Sequence, residues 1–258
     1  MRSEGQMSYP ILEHDPTREA YIEPSKVVEK RDVPECCVIC FFQDVIERVV
    51  SAHRARVVVE NCWEDGPHTV YEITHRGQRL AFFHPGVGSS LSAALLEEVI
   101  GFGCRKFVAC GGCGVLKPDI ATGHLIVVDS AVRDEGTSYH YLPPGREVQA
   151  NEPALRALVS VLNEQGVPYL VGKTWTTDAP YRETVAKIQK RKAEGCLTVE
   201  MEAAALMAVA QFRHVPFGQI LYAGDDLSGV EWDSRRWQSR ANVRERLFWL
   251  AADAVLRL

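Results

Sequence analysis

The chain has 258 residues, 46% of them hydrophobic and 24% charged, with a net charge of −5 and a pI near 5.9. This is enough apolar material for one large α/β domain or two small ones, and without a basic patch nucleic acid is not an expected partner. No run approaches the roughly 18 apolar residues of a membrane helix, and the polar stretch Met1–Met7 lacks the apolar core of a signal peptide. The expected compartment is the cytoplasm.

Residues 1–35 are polar and carry Asp15-Pro16, Glu23-Pro24 and Val33-Pro34, so they read as an N-terminal arm, with Ala20-Tyr21-Ile22 as a candidate edge pairing. Cys36–Phe42 is a short apolar run bounded by Pro34 and Gln43-Asp44, a buried strand. A helix follows over 44–52, with Val45, Ile46, Val49 and Val50 on one side. Strands are expected at 56–60, 69–74 and 79–83, with turns at Gly66-Pro67 and Arg76-Gly77. His84-Pro85-Gly86-Val87-Gly88-Ser89-Ser90 then leads into a helix over 91–102. A strand, a glycine turn and a helix in that order make an anion cradle, because free N–H groups gather at the helix start with no Cβ in the way. The next strand, 106–110, ends in Gly111-Gly112-Cys113-Gly114. Either glycine turn alone is explained by tight-turn geometry; two in tandem point to a site.

The strand 124–129 leads to a polar and aromatic loop, Arg133–Tyr141, of the kind that often builds sites. An amphipathic helix spans Pro153–Gln165, with Gly166 beyond its end, and a strand spans 169–173. A second polar and aromatic loop, Thr174–Arg182, precedes a basic helix over 183–192 whose charges read as a solvated face. Glu200 and Glu202 flank Met201 where a β-rich run becomes Ala-rich, ahead of a helix over 203–212. The strand 217–223 ends at Gly224-Asp225-Asp226, and a terminal helix covers 239–256. Strands alternating with helices imply a mainly parallel sheet with early antiparallel hairpins, and residues 36–258 read as a single catalytic domain. Carboxylates at neighbouring strand ends are where such sheets place ligands. The pairs Cys36/Cys37/Cys40 and Cys110/Cys113 lie in or beside apolar runs with no His at zinc spacing, so they read as buried thiols and no metal is expected.

The run Val199-Glu200-Met201-Glu202-Ala203-Ala204, with the later acidic turn at Asp225, resembles the signature of the nucleoside phosphorylase family, which includes purine nucleoside phosphorylases, uridine phosphorylases and related nucleosidases. The order of elements agrees over roughly 35–250, and Gly86-Val87-Gly88, Gly111–Gly114, Gly136-Thr137-Ser138 and Thr177-Asp178 fall where that family has corresponding features. The resemblance implies a three-layer α/β/α fold around a mixed, partly barrel-like sheet. It also implies cleavage of an N-glycosidic bond, with phosphate as co-substrate or with water, and a homo-oligomer (dimer or hexamer) whose neighbouring subunit completes the site. No cofactor is implied. Glu202 would then accept from the ribose hydroxyls, Met201 would pack on sugar and base, and Glu200 would either face the ligand or orient the turn. Asp225 resembles the general acid of the purine-specific branches, which favours a purine; Asp226 competes for that role. Tyr181, Trp175 and Tyr139 are the aromatics available to stack on the base.

The phosphate half departs from the family. An Arg two residues before the second glycine turn and a Ser or Thr within it are replaced by Ala109 and Gly112, and the early Gly-Asp-Pro loop reads Phe41–Arg48. A phosphate dianion needs charge-assisted donors. The substitutes on offer are the backbone around Gly86, Gly88, Gly111 and Gly112, the hydroxyl of Ser89 or Ser90, Arg133, Arg182 and His84. Phosphorolysis is the expected reaction; a hydrolase and a non-catalytic nucleoside-binding relative are the alternatives. A dinucleotide-binding oxidoreductase fits poorly, since Leu91 stands where the third fingerprint glycine belongs and Arg105-Lys106 where an acid would follow.

Overall fold

The computed structural model describes residues 9–237 and 241–258. The Met1–Met7 stretch and residues 239–240 of the expected terminal helix lie outside the described residues.

Strand β1 (Cys36–Cys40) runs parallel to β4 (Gln78–Phe83) on one side and to β5 (Lys106–Val115) on the other. Beyond β4 an antiparallel meander adds β3 (Gly66–His75) and β2 (Arg56–Trp63). The β3–β4 turn is the expected Arg76-Gly77, both at positive φ (49° and 78°), the pair of conformations a two-residue hairpin demands. The β2–β3 turn falls at residues 64–65, two residues earlier than the Gly66-Pro67 expected from composition.

On its other flank β5 enters a ring. It pairs with β10 (Phe217–Asp226), which pairs with β6 (Leu125–Asp134). The ring continues through β8 (Tyr169–Thr177) and β9 (Thr198–Glu200) back to β5, closing a five-stranded mixed barrel. The short β7 (Glu147–Gln149) extends β6 outside the ring. Helices α2 (Gln43–His53), α4 (Glu152–Glu164) and α7 (Ala241–Val255) bury Val45, Ile46, Leu158, Leu162 and Phe248 against one face. Helices α3 (Ser89–Phe102) and α6 (Ala203–Arg213) cover the other. Every residue of α6 from Ala203 to Ala210 is buried, and its alanines let the helix lie close on the barrel. The three-layer fold with a partly barrel-like sheet is therefore present.

Several strands outrun their expected ends. β5 continues through Gly111–Gly114, β6 through Arg133, and β8 through the Thr-rich 174–177, because ladder pairing on both sides overrides the glycine and loop signals. The basic helix α5 (Val185–Ala193) is not wholly solvated: Arg191 is buried, bonds Asp134 at 2.9 Å and Glu194 at 3.0 Å, and stacks over Trp175. The described part of the N-terminal arm is docked. Glu23, just before the short helix α1 (Pro24–Val27), and Glu97 of α3 both bond Arg213 at 2.6 Å. Ala20–Ile22 forms a bend with Tyr21 fully exposed and pairs with no strand. No helix among the described residues is long and apolar enough to cross a membrane.

Candidate active site

β9 ends at Glu200, and α6 begins three residues later. The first N–H groups of a helix need acceptors. Glu200 provides them: its Oε2 accepts from Glu202 N–H at 2.7 Å and Ala203 N–H at 2.6 Å, while its Oε1 accepts from the Thr176 hydroxyl at 2.7 Å. Thr176 in turn accepts from Ala204 N–H at 3.0 Å. With the helix start capped from β9 and β8, the Glu202 side chain is released toward the Gly88 turn. Its Oε1 accepts from Gly88 N–H at 2.7 Å and its Oε2 from Met201 N–H at 3.3 Å. Burial raises both carboxyls above the usual carboxylate range, and at Glu202 the Glu200 charge adds to it and pushes the group up to about 8.

The turn at 86–90 was expected to cradle phosphate. Its Gly88 N–H instead holds Glu202, its Gly86 N–H donates to His84 Nδ1 at 3.0 Å, and the Ser89 hydroxyl donates to the Met201 carbonyl at 2.6 Å. Gly86 is glycine because a Cβ there would lie 2.2 Å from Leu91 Cδ2. In this arrangement Gly86, Gly88 and Ser89 form a frame around the carboxylate turn, with Gly88 holding Glu202 directly.

Between the two acidic strand ends lies β5. Gly114 pairs with Val199 on one side and Cys113 with Ala223 on the other. A Cβ on Gly114 would lie 2.5 Å from Leu227 and 3.0 Å from Val199, so only glycine lets these strands close. From Ala223 to Asp226, β10 carries one more residue than β5 does from Cys113 to Val115, and this bulge presents Asp225 to the cavity. Asp225 Oδ2 accepts from the Trp232 indole N–H at 2.7 Å. Asp226 has other duties: it bonds Ser228 N–H at 2.7 Å and pairs with Arg235.

Glu200, Met201, Glu202, Asp225, Gly111 and Gly112 all line one cavity of about 910 Å³. Tyr181 stands at its edge, 99% exposed. Trp175 does not reach it. Because β8 continues as a strand, Trp175 points outward, 0% exposed, into a cluster with Leu116, Cys196 and Leu227, where its N–H donates to Asp134 at 3.0 Å. Tyr139 is likewise not at the cavity wall; its ring lies under Arg133. Arg133 is buried and spends its guanidinium on Ser138 Oγ (2.8 Å) and the carbonyls of Pro143 (2.8 Å) and Leu142 (3.2 Å), so it braces the 134–146 segment instead of meeting phosphate. Cys110 and Cys113 project into opposite cores of the sheet and do not form a pair.

Among the cavity residues that the reading of the sequence did not single out, four are prominent. Phe42 and Tyr222 occupy the end below Gly112, where a Cβ on Gly112 would meet the Tyr222 ring at 3.2 Å. Arg244 enters from α7, its Nε donating to the Tyr222 hydroxyl at 3.2 Å and its guanidinium lying over the rings of Phe42, Trp237 and Tyr222 at 5.2, 5.4 and 5.9 Å. It is the only basic side chain on the cavity wall among the described residues. Glu183 is the fourth, pushed up to about 7 by burial and then by the Asp225 charge. Only Ala109 and Gly112, standing where the resemblance places an Arg and a Ser or Thr, hinted that a cation would come from elsewhere.

The model of the phosphorylase superfamily matches residues 36–255. A guanosine phosphorylase of Halorubrum lacusprofundi is 26% identical over 243 residues, covering 92% of this chain and 99% of that protein. The solved uridine phosphorylase of Vibrio fischeri shares the fold with a TM-score of 0.75 at 21% identity, over 90% of this chain and 100% of that one. The AMP nucleosidase of Bacteroides thetaiotaomicron does so with a TM-score of 0.70 at 22% identity, over 87% and 88%. With the family model running through the carboxylate turn, the glycine strand and the bulge, the chain belongs to the phosphorylase superfamily.

Proposed function

We propose that the protein cleaves the N-glycosidic bond of a purine nucleoside with orthophosphate as acceptor, releasing free base and pentose 1-phosphate. The observation that carries this reading is the joining, in one cavity, of the Glu200-Met201-Glu202 turn with Asp225 on the β10 bulge. Glu202 accepts from the sugar hydroxyls and Met201 packs on the sugar. As the C1′–N9 bond breaks, its electron pair passes to the base and Asp225 serves the N7 proton, while a phosphate oxygen forms the new bond to C1′. Arg244 is the cation available to phosphate, with the open backbone at Gly111 and Gly112 beside it. The likeness to a guanosine phosphorylase over nearly the whole chain supports both acceptor and base class.

Hydrolysis is the second reading, and one observation favours it. Arg244 already shares its guanidinium with Tyr222 and, at 3.4 Å, with Asp44, which leaves less charge for a dianion than a dedicated arginine pair. Purine and pyrimidine nucleosides incubated with and without phosphate separate the two. Phosphate-dependent base release with pentose 1-phosphate is expected; release of free pentose without phosphate would establish hydrolysis, and no release from any nucleoside would leave a binding protein. The exposed rim formed by Val87, Tyr181 and Trp232 supports closure of the mouth by a second copy of the chain in a dimer or hexamer, which sedimentation tests directly.

A further inference from the structure

Asp225 leaves the ladder of β10 on the bulge between Ala223 and Asp226, so strand pairing does not fix the direction of its carboxyl. The one hydrogen bond of that carboxyl among the described residues is the 2.7 Å bond that Oδ2 accepts from the Trp232 indole N–H. Trp232 lies on the cavity wall and is 63% exposed, so no core holds it in place. A clamp in the backbone does. Asp226 and Asp233 exchange both of their main-chain hydrogen bonds, at 2.8 and 3.0 Å, and close residues 227–232 into a loop whose last member is Trp232. The Asp226 side chain tightens the clamp: it accepts from Ser228 N–H at 2.7 Å and pairs with Arg235, which donates to the Ile120 carbonyl at 2.8 Å. From α5, Lys192 donates to the Ser228 carbonyl at 3.2 Å.

We propose that Trp232 is a positioning residue for the reaction: the clamp sets the indole, and the indole sets Asp225. Within the nucleoside-cleavage reading, on which this rests, Asp225 serves the N7 proton. An indole N–H only donates, so Oδ2 stays an acceptor and a proton exchanged with the base travels through Oδ1. Oδ1 bonds no described residue and lies beside Gly114, on the cavity wall. Without the indole, a carboxyl on a bulge is free to turn, and proton transfer requires the acid to stay within hydrogen-bond reach of the atom it serves. Asp226, next in the chain, is committed to the clamp and takes no part in that transfer.

The test is a double-mutant cycle in kcat with phosphate present, on whichever of adenosine and inosine the wild type cleaves faster, using Trp232→Phe, Asp225→Asn and the double variant. Trp232→Phe keeps a ring and removes the N–H. Alone it should lower kcat about tenfold, as misplacement of a reacting group does, and leave the nucleoside KM nearly unchanged. In the Asp225→Asn background the same change should cost nothing, because no acid is left to aim. Since Trp232 is largely exposed, its replacement should leave the melting temperature close to that of the wild type. Wild-type kcat in Trp232→Phe, or an equal loss in both backgrounds, overturns the proposal. Failure of the cleavage reading looks different: the wild type releases no base from any nucleoside. Titration with adenine and hypoxanthine, followed by tryptophan emission, then decides. A change seen in the wild type and lost in both Trp232→Phe and Asp225→Asn sustains the link between indole, carboxyl and base; the same change in all three proteins, or none in any, sinks it.

Discussion

At the sugar end of the cavity two carboxyls are held by five hydrogen bonds, four of them from backbone N–H groups, and three of those backbone donors lie within residues 201–203. At the acceptor end, β5 offers bare glycine, the walls are Phe42, Tyr222 and Trp237, and the one cation arrives from α7 more than a hundred residues away in the chain. The first end is a local device: a strand end, a helix start and a cap that must occur together. The second is an assembly of separate elements, any of which can change without unfolding its neighbours. That contrast explains how the chain keeps the Glu200-Met201-Glu202 turn while Ala109 and Gly112 stand where the resemblance places phosphate donors.

The largest expected effect comes from breaking the sugar end. Glu202→Ala removes the group aimed at the ribose hydroxyls and frees Gly88 N–H, and assayed above about pH 8, where the carboxylate is ionised, should lower kcat/KM by about a thousandfold, two charge-assisted bonds being worth roughly 1.5–3 kcal/mol each. Retained riboside affinity, measured calorimetrically, would show that the sugar is held elsewhere. Asp225→Asn comes next. Loss of a general acid costs about a hundredfold or more, so kcat on purine nucleosides should fall while binding changes little. Wild-type turnover in that variant would remove Asp225 from the reaction.

The acceptor end should respond more gently and more selectively. Arg244→Met keeps the packing among Phe42, Tyr222 and Trp237 but removes the charge, and should raise the KM for phosphate about tenfold with the nucleoside KM nearly unchanged. An unchanged phosphate KM would move the anion away from α7. The smallest effect is on stability. Burial makes Glu183 and the Glu200–Glu202 pair hold protons in the folded state to higher pH than in the unfolded chain, which releases them near 4.5. Their contribution is full below 4.5 and is lost as the pH rises through about 7 and about 8. The melting temperature should therefore decline by several degrees between about pH 5 and about pH 8, and Glu202→Gln should flatten that decline. A melting temperature that rises over this range would contradict the burial of the pair.

Much of this was legible in the residues. The carboxylate turn could be read because Glu200-Met201-Glu202 and the alanines after it encode a cap and a closely packed helix within nine residues. The strand and helix order could be read from apolar periodicity. What could not be read followed from the closure of the barrel. Trp175 looked like a loop aromatic because Thr174–Thr177 is polar, but pairing with both β6 and β9 makes it a strand residue and alternation turns the indole outward. Arg133 looked like a phosphate ligand on composition alone, and only the path of the 134–146 segment shows its guanidinium already occupied.

The sequence by itself determined the Glu200-Met201-Glu202 turn, the position of Asp225 at a strand end and the presence of Ala109 and Gly112 in and before the second glycine turn, since each is written in contiguous residues and local periodicity. The tertiary structure alone decided which carboxyl caps α6 and which faces the cavity, that Glu183 lines the same cavity as Asp225, and that Arg244 from α7 stands on its wall. The physical reason is the same for all three: hydrogen-bond partners and electrostatic neighbours are set by distances across the barrel, and those distances exist only once β5 has closed against both β9 and β10.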